Sequence, residues 1–193
     1  MQPMDAPTQK PSVNVKLRSF SKSLPMSLLL AREAVMNRFR SSLNLFNITE
    51  QQWRVLRALS SIPEIEVMEL AKVTYLLAPS LSRILRDMEA RKLIVRRQAE
   101  DDLRRSLISI GPDGLKLIDA VAPYSEGIYG EITATFGRQK IDLLQQLLRE
   151  LTEAMHGLPP LGYDGSELSG DISRIVGTSP RGRPRFSKQK PAS

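Results

Sequence analysis

Apolar residues recur at helical spacing in six stretches of this chain. Over residues 24–43, Leu28, Ala31, Val35, Met36 and Phe39 share one broad face. Thr49 stands three residues before Gln52, the spacing of a capping box, so a helix is predicted to start there. It presents Trp53, Val55, Leu56 and Leu59 and stops near Pro63. A short helix follows over 67–75, with Leu70, Ala71 and Tyr75 apolar. Pro79 suits the first turn of the next, because its missing N–H would be unpaired there anyway. That helix runs to about Arg91 and buries Leu81, Ile84, Leu85 and Met88.

The period then changes. Residues 93–97 and 106–110 are paired strand candidates, with Leu107 alternating with Ser106 and Ile108. The turn over 98–105 is longer than a tight hairpin and rich in charge, so it projects into solvent. Pro112 and Asp113 start a helix to about Thr135, weakened in its first turn by Gly114 and open to a bend near Pro123 and Gly127. A last helix runs from about Arg138 and ends before Gly157. Its Ile141, Leu144, Leu147, Leu148, Leu151 and Met155 form a wide apolar stripe, which needs another apolar face to cover it. A two-fold partner supplies one, as does packing within one monomer. The expected fold class is mainly α: a winged helix-turn-helix over about 46–111, with N- and C-terminal dimerisation helices over about 24–43 and 112–156.

Composition bounds what this fold does. The 193 residues suffice for one substantial domain, over 24–156, with tails. Residues 1–23 read as a flexible basic arm, in which Val13, Val15, Leu17 and Phe20 have the spacing of an edge strand or partner-binding segment. Residues 157–193, with Pro159-Pro160 and repeated Gly and Ser, read as a flexible basic tail. The formal charge is +7. Residues 1–24 carry four basic and one acidic side chain, and residues 171–193 six basic and one acidic, which leaves the body between them slightly acidic. Positive charge on the body must therefore be local. With no cysteine, disulfides and Cys-ligated zinc are excluded, and His156 is the only histidine. No glycine-rich nucleotide loop or metal-ligand cluster is present, so an enzyme is disfavoured, and no cofactor or metal is expected. No apolar run has the length of a membrane span or a secretory signal; a cytoplasmic, nucleoid-associated protein is expected.

Local charge is found over 78–111, where Arg83, Arg86, Arg91, Lys92, Arg96, Arg97, Arg104 and Arg105 meet five acids. A recognition helix followed by a wing points to double-stranded DNA. Pro79, Ser80, Ser82, Arg83 and Arg86 lie on or near the exposed side of that helix, with Arg83 the first candidate for a base or phosphate contact. Arg104 or Arg105 is expected to enter or straddle the minor groove. Arg96 and Arg97 alternate across a strand, so they cannot easily both face DNA. In the tail, Arg181-Gly182-Arg183-Pro184-Arg185 looks like an AT-hook, in which Arg181, Arg183 and Arg185 line a narrow A·T-rich minor groove. A merely solubilising basic tail is the plainer alternative.

Three runs carry a family resemblance: Leu30-Ala31-Arg32-Glu33-Ala34, then Ile48-Thr49-Glu50-Gln51-Gln52-Trp53-Arg54-Val55-Leu56-Arg57, then Asp102-x-Arg104 before Leu107. Over about Leu24 to Met155 the chain resembles the MarR family of winged helix-turn-helix repressors, in its branch concerned with aromatic-acid catabolism. One departure is Gly111, which stands where the family usually has a threonine cap. The resemblance implies that Arg104 contacts DNA and that Asp102 pins the wing through an arginine. It also implies a homodimer on a pseudo-palindromic operator, released by a small aromatic or phenolic acid bound between the dimerisation helices and the winged domain. Arg32, as a bidentate carboxylate clamp, and Trp53, as an aromatic wall, are the leading candidates for that site, followed by Arg54 and Arg57. An architectural or activating DNA-binding protein without small-molecule control remains the alternative.

Overall fold

The computed structural model describes residues 18–99, 105–162, 172 and 175. They divide into two compact units, one reaching Ile141 and one starting at Asp142. In the first, a single 3-10 turn at Phe20–Lys22 leads into helix α1, Leu24–Leu45, which has a proline in its first turn. Only the C-terminal end of α1 is buried, through Phe39, Ser42 and Leu43; Leu24, Leu28, Leu29, Leu30 and Val35 are exposed in the single chain.

Helix α2, Glu50–Leu59, begins at the expected capping box. Thr49 Oγ1 accepts the Gln52 N–H at 3.2 Å, and Gln52 Oε1 accepts the Thr49 N–H at 2.8 Å. Two otherwise orphaned donors are thereby satisfied. Strand β1, Ile65–Glu66, and helix α3, Val67–Thr74, follow. The pattern predicts a helix that includes Tyr75, but α3 ends at Thr74 and Tyr75 turns the chain with φ +52°, exposed to solvent. Helix α4, Ala78–Ala90, takes Pro79 in its first turn and buries Leu81, Leu85 and Met88, with Ile84 half-buried.

Strands β2, Ile94–Gln98, and β3, Ser106–Ile110, pair antiparallel, with Arg96 opposite Ile108. The pairing continues through the Ala99 N–H to Arg105 carbonyl bond, at 3.0 Å. β1 adds to the free edge of β3, giving the order β1-β3-β2. Helix α5, Pro112–Phe136, runs through Pro123, and helix α6, Arg138–His156, follows Gly137 at φ +95°.

Two apolar clusters hold this unit together. One joins α2, α3, α4 and the sheet around Val55, Leu56, Leu70, Leu81, Leu85, Met88 and Ile108. The other joins α1 to α5 around Phe39, Leu43, Ile48 and Val121. Trp53 and Leu117 pack against both, so they couple the helix-turn-helix to the long helices.

Where β3 enters α5, the chain passes very close to the Lys92-Leu93 turn. A Cβ on Gly111 would sit 2.4 Å from the Lys92 carbonyl oxygen, and one on Gly114 2.1 Å from that of Leu93. Gly114 therefore permits close packing that any side chain would block, which explains a residue that looked like a flaw in a helix start. Gly111 caps α5 without a side-chain bond; instead its N–H donates to the Leu93 carbonyl at 2.9 Å.

The second unit contains α6 from Asp142 onward. No residue of α6 is buried, and Leu143, Leu144, Leu147, Leu148 and Met155 are exposed in the single chain.

Candidate nucleic-acid interface and ligand cleft

The exposed side of α4 carries most of the residues singled out for DNA. Pro79, Ser80, Ser82, Arg83 and Arg86 are all exposed. Ser82 Oγ donates to the Ala78 carbonyl at 2.9 Å, so its proton is engaged within the helix while its lone pairs stay open. Arg83 and Arg86 have no ion-pair partner among the described residues. Below them, Gln52 Nε2 donates to Asp87 Oδ2 at 2.6 Å. The cap of α2 is thus bonded directly to the recognition helix, which fixes the angle between the two.

In the wing, arginine is mostly committed to protein acids. Arg96 Nε lies 3.3 Å from Glu89 of α4. Arg97 makes a two-pronged pair with Glu64, its Nε donating to Oε1 at 2.6 Å. Arg105 Nε donates to Glu66 Oε1 at 2.9 Å. Both strands of the hairpin are therefore tied by charge to the segment at β1, a short edge that periodicity did not reveal. This gives Arg105 a protein partner as well as its place at the base of the wing. Asp102 and Arg104, and the tail residues Arg181, Arg183 and Arg185, lie outside the described residues.

A separate cleft of about 290 Å³ opens between α1, α2 and α5. Met36, Trp53, Ala122 and Tyr129 give it apolar walls, and Glu50, Arg54, Arg57, Ser125 and Glu126 supply polar groups. Tyr129 is set edge-on against Phe39, with ring centroids 5.2 Å apart. Three of the four residues proposed from sequence, Trp53, Arg54 and Arg57, come together here; Arg32 does not line the cleft.

Glu50 explains the difference. Its side chain is 9% exposed and is surrounded by Arg32, Arg40 and Arg54, with Arg54 at 2.8 Å and Arg40 at 3.2 Å. Arg32 also pairs with Glu33 at 2.6 Å. Three cations converge on one carboxylate at the N-terminus of α2, where the helix dipole adds to the stabilisation. Arg54 does a second job: its Nη1 donates to the Thr74 carbonyl at 3.1 Å. It therefore connects the cleft to the last residue of α3. Arg57 is the cleft arginine without a side-chain partner among the described residues, and Ser125 is a mostly buried serine of the same cleft. Sequence reasoning missed Glu50, Ser125 and Tyr129, since none stands out until three helices are brought together.

A MarR family model matches residues 46–105, the segment from the start of the helix-turn-helix into the wing. The HTH-type transcriptional regulator FarR of Neisseria gonorrhoeae is 37% identical over 131 residues, spanning 68% of this chain and 90% of that protein. The chain belongs to the MarR family. Another relative is the homoprotocatechuate degradative operon repressor of Escherichia coli, 38% identical over 128 residues, 66% of this chain and 86% of that protein. Among solved structures, NadR in complex with 4-hydroxyphenylacetate superposes with a TM-score of 0.65 at 35% identity, covering 71% of this chain and 100% of that one. As a MarR-family protein the chain is a DNA-binding, homodimeric transcriptional regulator and not an enzyme. Among the described residues no helix is long and apolar enough to cross a membrane, and no acidic, histidine or cysteine cluster has the makings of a metal site.

Proposed function

We propose that this protein is a repressor that binds a pseudo-palindromic operator as a homodimer and leaves it when a small aromatic acid enters the cleft. Two copies of α4 must lie about 34–36 Å apart to engage successive major grooves on one face of the duplex. Arg83 and Arg86 then meet base edges or phosphates, with Ser80, Ser82 and Pro79 beside them, and the wing sends Arg104 to the minor groove. Asp102 holds the wing's shape. Arg105, already bonded to Glu66, braces its base and reaches phosphate only from that position. The basic segment at 181–185 adds affinity through the minor groove of flanking A·T-rich DNA. The exposed leucines of α6 and the N-terminal part of α1 are the surfaces on which the two copies pair.

The observation that carries the effector reading is Arg57. It is a cleft cation whose charge is not spent on a protein acid, whereas Arg32, Arg40 and Arg54 are all committed to Glu50. A carboxylate entering between Trp53 and Tyr129 finds Arg57 on the α2 wall. Glu126, on the α5 wall, accepts a hydroxyl at the other end of the ring. At about 290 Å³, just below the usual range of roughly 300–1,000 Å³, the cleft suits one substituted ring. The relative NadR was solved with such a molecule, 4-hydroxyphenylacetate. Release follows from the second bond of Arg54. Negative charge near the cleft draws Arg54 away from the Thr74 carbonyl and loosens the turn that aims α4. The effector acts by binding that misaligned state more tightly than the DNA-bound one.

The test is a titration of the purified protein on its own upstream DNA with single-ring aromatic acids, repeated on a chain truncated after residue 157. A footprint that an acid removes supports the proposal, with the truncated chain binding more weakly but at the same site. A footprint indifferent to every acid, with A·T preference set by the tail, indicates an architectural protein and refutes it.

A further inference from the structure

The turn between α3 and α4 holds a residue that the fold does not ask for. α3 ends with the Tyr75 N–H donating to the Lys72 carbonyl at 3.2 Å and the Leu76 N–H to the Ala71 carbonyl at 3.1 Å. Helices that end this way place one residue in the left-handed region, and that residue is usually glycine, which has no Cβ to clash. Here it is Tyr75, at φ +52° and ψ +39°. A bulky residue in that conformation carries a steric cost. Asn47 and Lys92 share that region, but of the three Tyr75 alone presents a large ring, which points to a use for the side chain.

Packing does not use it. Tyr75 is 78% exposed, its ring makes no aromatic contact, and its hydroxyl has no partner among the described residues. Its position offers a use. Tyr75 lines an open groove of about 560 Å³ with Thr49, Gln51, Leu77, Ser80 and Arg83; Asp87 also lines it, its carboxylate engaged by Gln52 Nε2 at 2.6 Å. One wall is the first turn of α2, where the capping box engages the Thr49 and Gln52 N–H groups and the helix dipole favours negative charge. The other wall is the first turns of α4, with the exposed Ser80 and Arg83, the arginine without an ion-pair partner among the described residues. Between them lie the half-buried Leu76 and Ile84, beside the Gln52–Asp87 hydrogen bond. Asp87 is held by Gln52 and by Arg91 at 3.6 Å. The hydroxyl, serine and arginine on the rim and the carbon of Leu76 and Ile84 then match a sugar-phosphate strand, whose phosphates face the donors while its deoxyriboses rest on carbon.

We propose that this groove seats one backbone strand of the operator and that Tyr75 donates its hydroxyl to a phosphate oxygen there. The inference rests on the reading that α4 enters the major groove, since only then does the strand flanking that groove run past the turn. It adds a contact that basic-residue patterns could not suggest. Tyr75 is uncharged, so it fixes register without adding to the counterion release that makes arginine contacts salt-dependent.

Two variants of the full-length protein test this: Tyr75→Phe, which removes only the hydroxyl, and Tyr75→Gly, which also removes the strain. Operator affinity is measured by fluorescence anisotropy at several salt concentrations, and stability by thermal melting. Tyr75→Phe should bind about ten- to a hundredfold more weakly with an unchanged salt slope, as expected for one hydrogen bond from an uncharged donor to a charged phosphate. Tyr75→Gly should bind at least as weakly while melting about 2–4 °C higher. Replacing single operator phosphates by methylphosphonates should locate one position in each half-site that weakens the wild type but not Tyr75→Phe. Wild-type affinity in Tyr75→Phe overturns the contact, and so does the lack of any such phosphate. A lower melting temperature in Tyr75→Gly would mean that the ring packs within the fold, which also overturns it. A wild type that binds no duplex at all would instead defeat the reading of α4 on which the proposal stands.

Discussion

Gly114→Ala sets two effects of opposite sign against each other. Glycine inside a helix is disfavoured by about 1 kcal/mol relative to alanine, so propensity alone makes the substitution stabilising. The structure predicts the reverse. The new Cβ would lie 2.1 Å from the Leu93 carbonyl oxygen, 3.0 Å from Ile110 Cγ1 and 3.1 Å from the Leu93 carbonyl carbon. Comfortable separations are roughly 3.5 Å, so the backbone must part by more than about 1 Å. The group that must move is also the acceptor of the Gly111 N–H, at 2.9 Å. Overpacking costs about 1–3 kcal/mol, here near the upper end because backbone must give way. Weakening the hydrogen bond adds about 1 kcal/mol. After the propensity gain the net loss is about 2–3 kcal/mol. Urea unfolding at fixed protein concentration, followed by the fluorescence of the single tryptophan, Trp53, reads it directly. Gly130→Ala is the control, because its Cβ meets nothing within 4 Å and should stabilise by about 1 kcal/mol. If both variants shift the midpoint upward, the close approach is not a constraint and the reasoning fails.

Other expectations follow from the same geometry. Thr49→Ala removes half of the capping box and should cost about 1 kcal/mol in the same unfolding assay; no change in the midpoint would mean that Gln52 alone holds the helix start. Arg57→Ala should weaken binding of an aromatic acid about 10- to 100-fold in calorimetry while leaving operator affinity unchanged, and retained acid binding would remove Arg57 from its role. Asp113 titrates below the ordinary carboxylate range because the Lys116 ammonium donates to it at 2.9 Å and attracts its charge. Lys116→Ala should therefore raise the Asp113 midpoint in an NMR titration, and an unmoved midpoint would contradict the pairing.

What sequence made legible were features whose cause is local. The capping box at Thr49 and Gln52, the proline in the first turn of α4 and the apolar stripe of α6 are set by neighbours within one turn or two, and the helices begin where those signals stand. β1 was missed because two residues carry no period; it exists only because β3 offers a free edge. The pattern carries α3 one residue too far, to Tyr75, because no glycine marks the end of the helix. The glycines at 111 and 114 look like weak points until the turn they pack against is brought to them from earlier in the chain. The cleft was partly visible, through Trp53, Arg54 and Arg57 in one run of α2, but the partner that sorts the arginines was not. Glu50, an ordinary solvated acid by its place in α2, is mostly buried only because α1 lays two arginines over it. Pairings of Arg97 with Glu64 and Arg105 with Glu66 span more than thirty residues and leave no trace in spacing.

Those wing pairings separate how much basic residue the protein has from how much it can present to a polyanion. An arginine that already neutralises a glutamate brings little uncompensated charge to the duplex and displaces few of its bound cations. Tighter binding in this scaffold is therefore open through loss of an acid rather than gain of a base. Glu89→Gln, for instance, would unmask Arg96 at the edge of the wing for a phosphate and steepen the dependence of affinity on ionic strength, with no basic residue added.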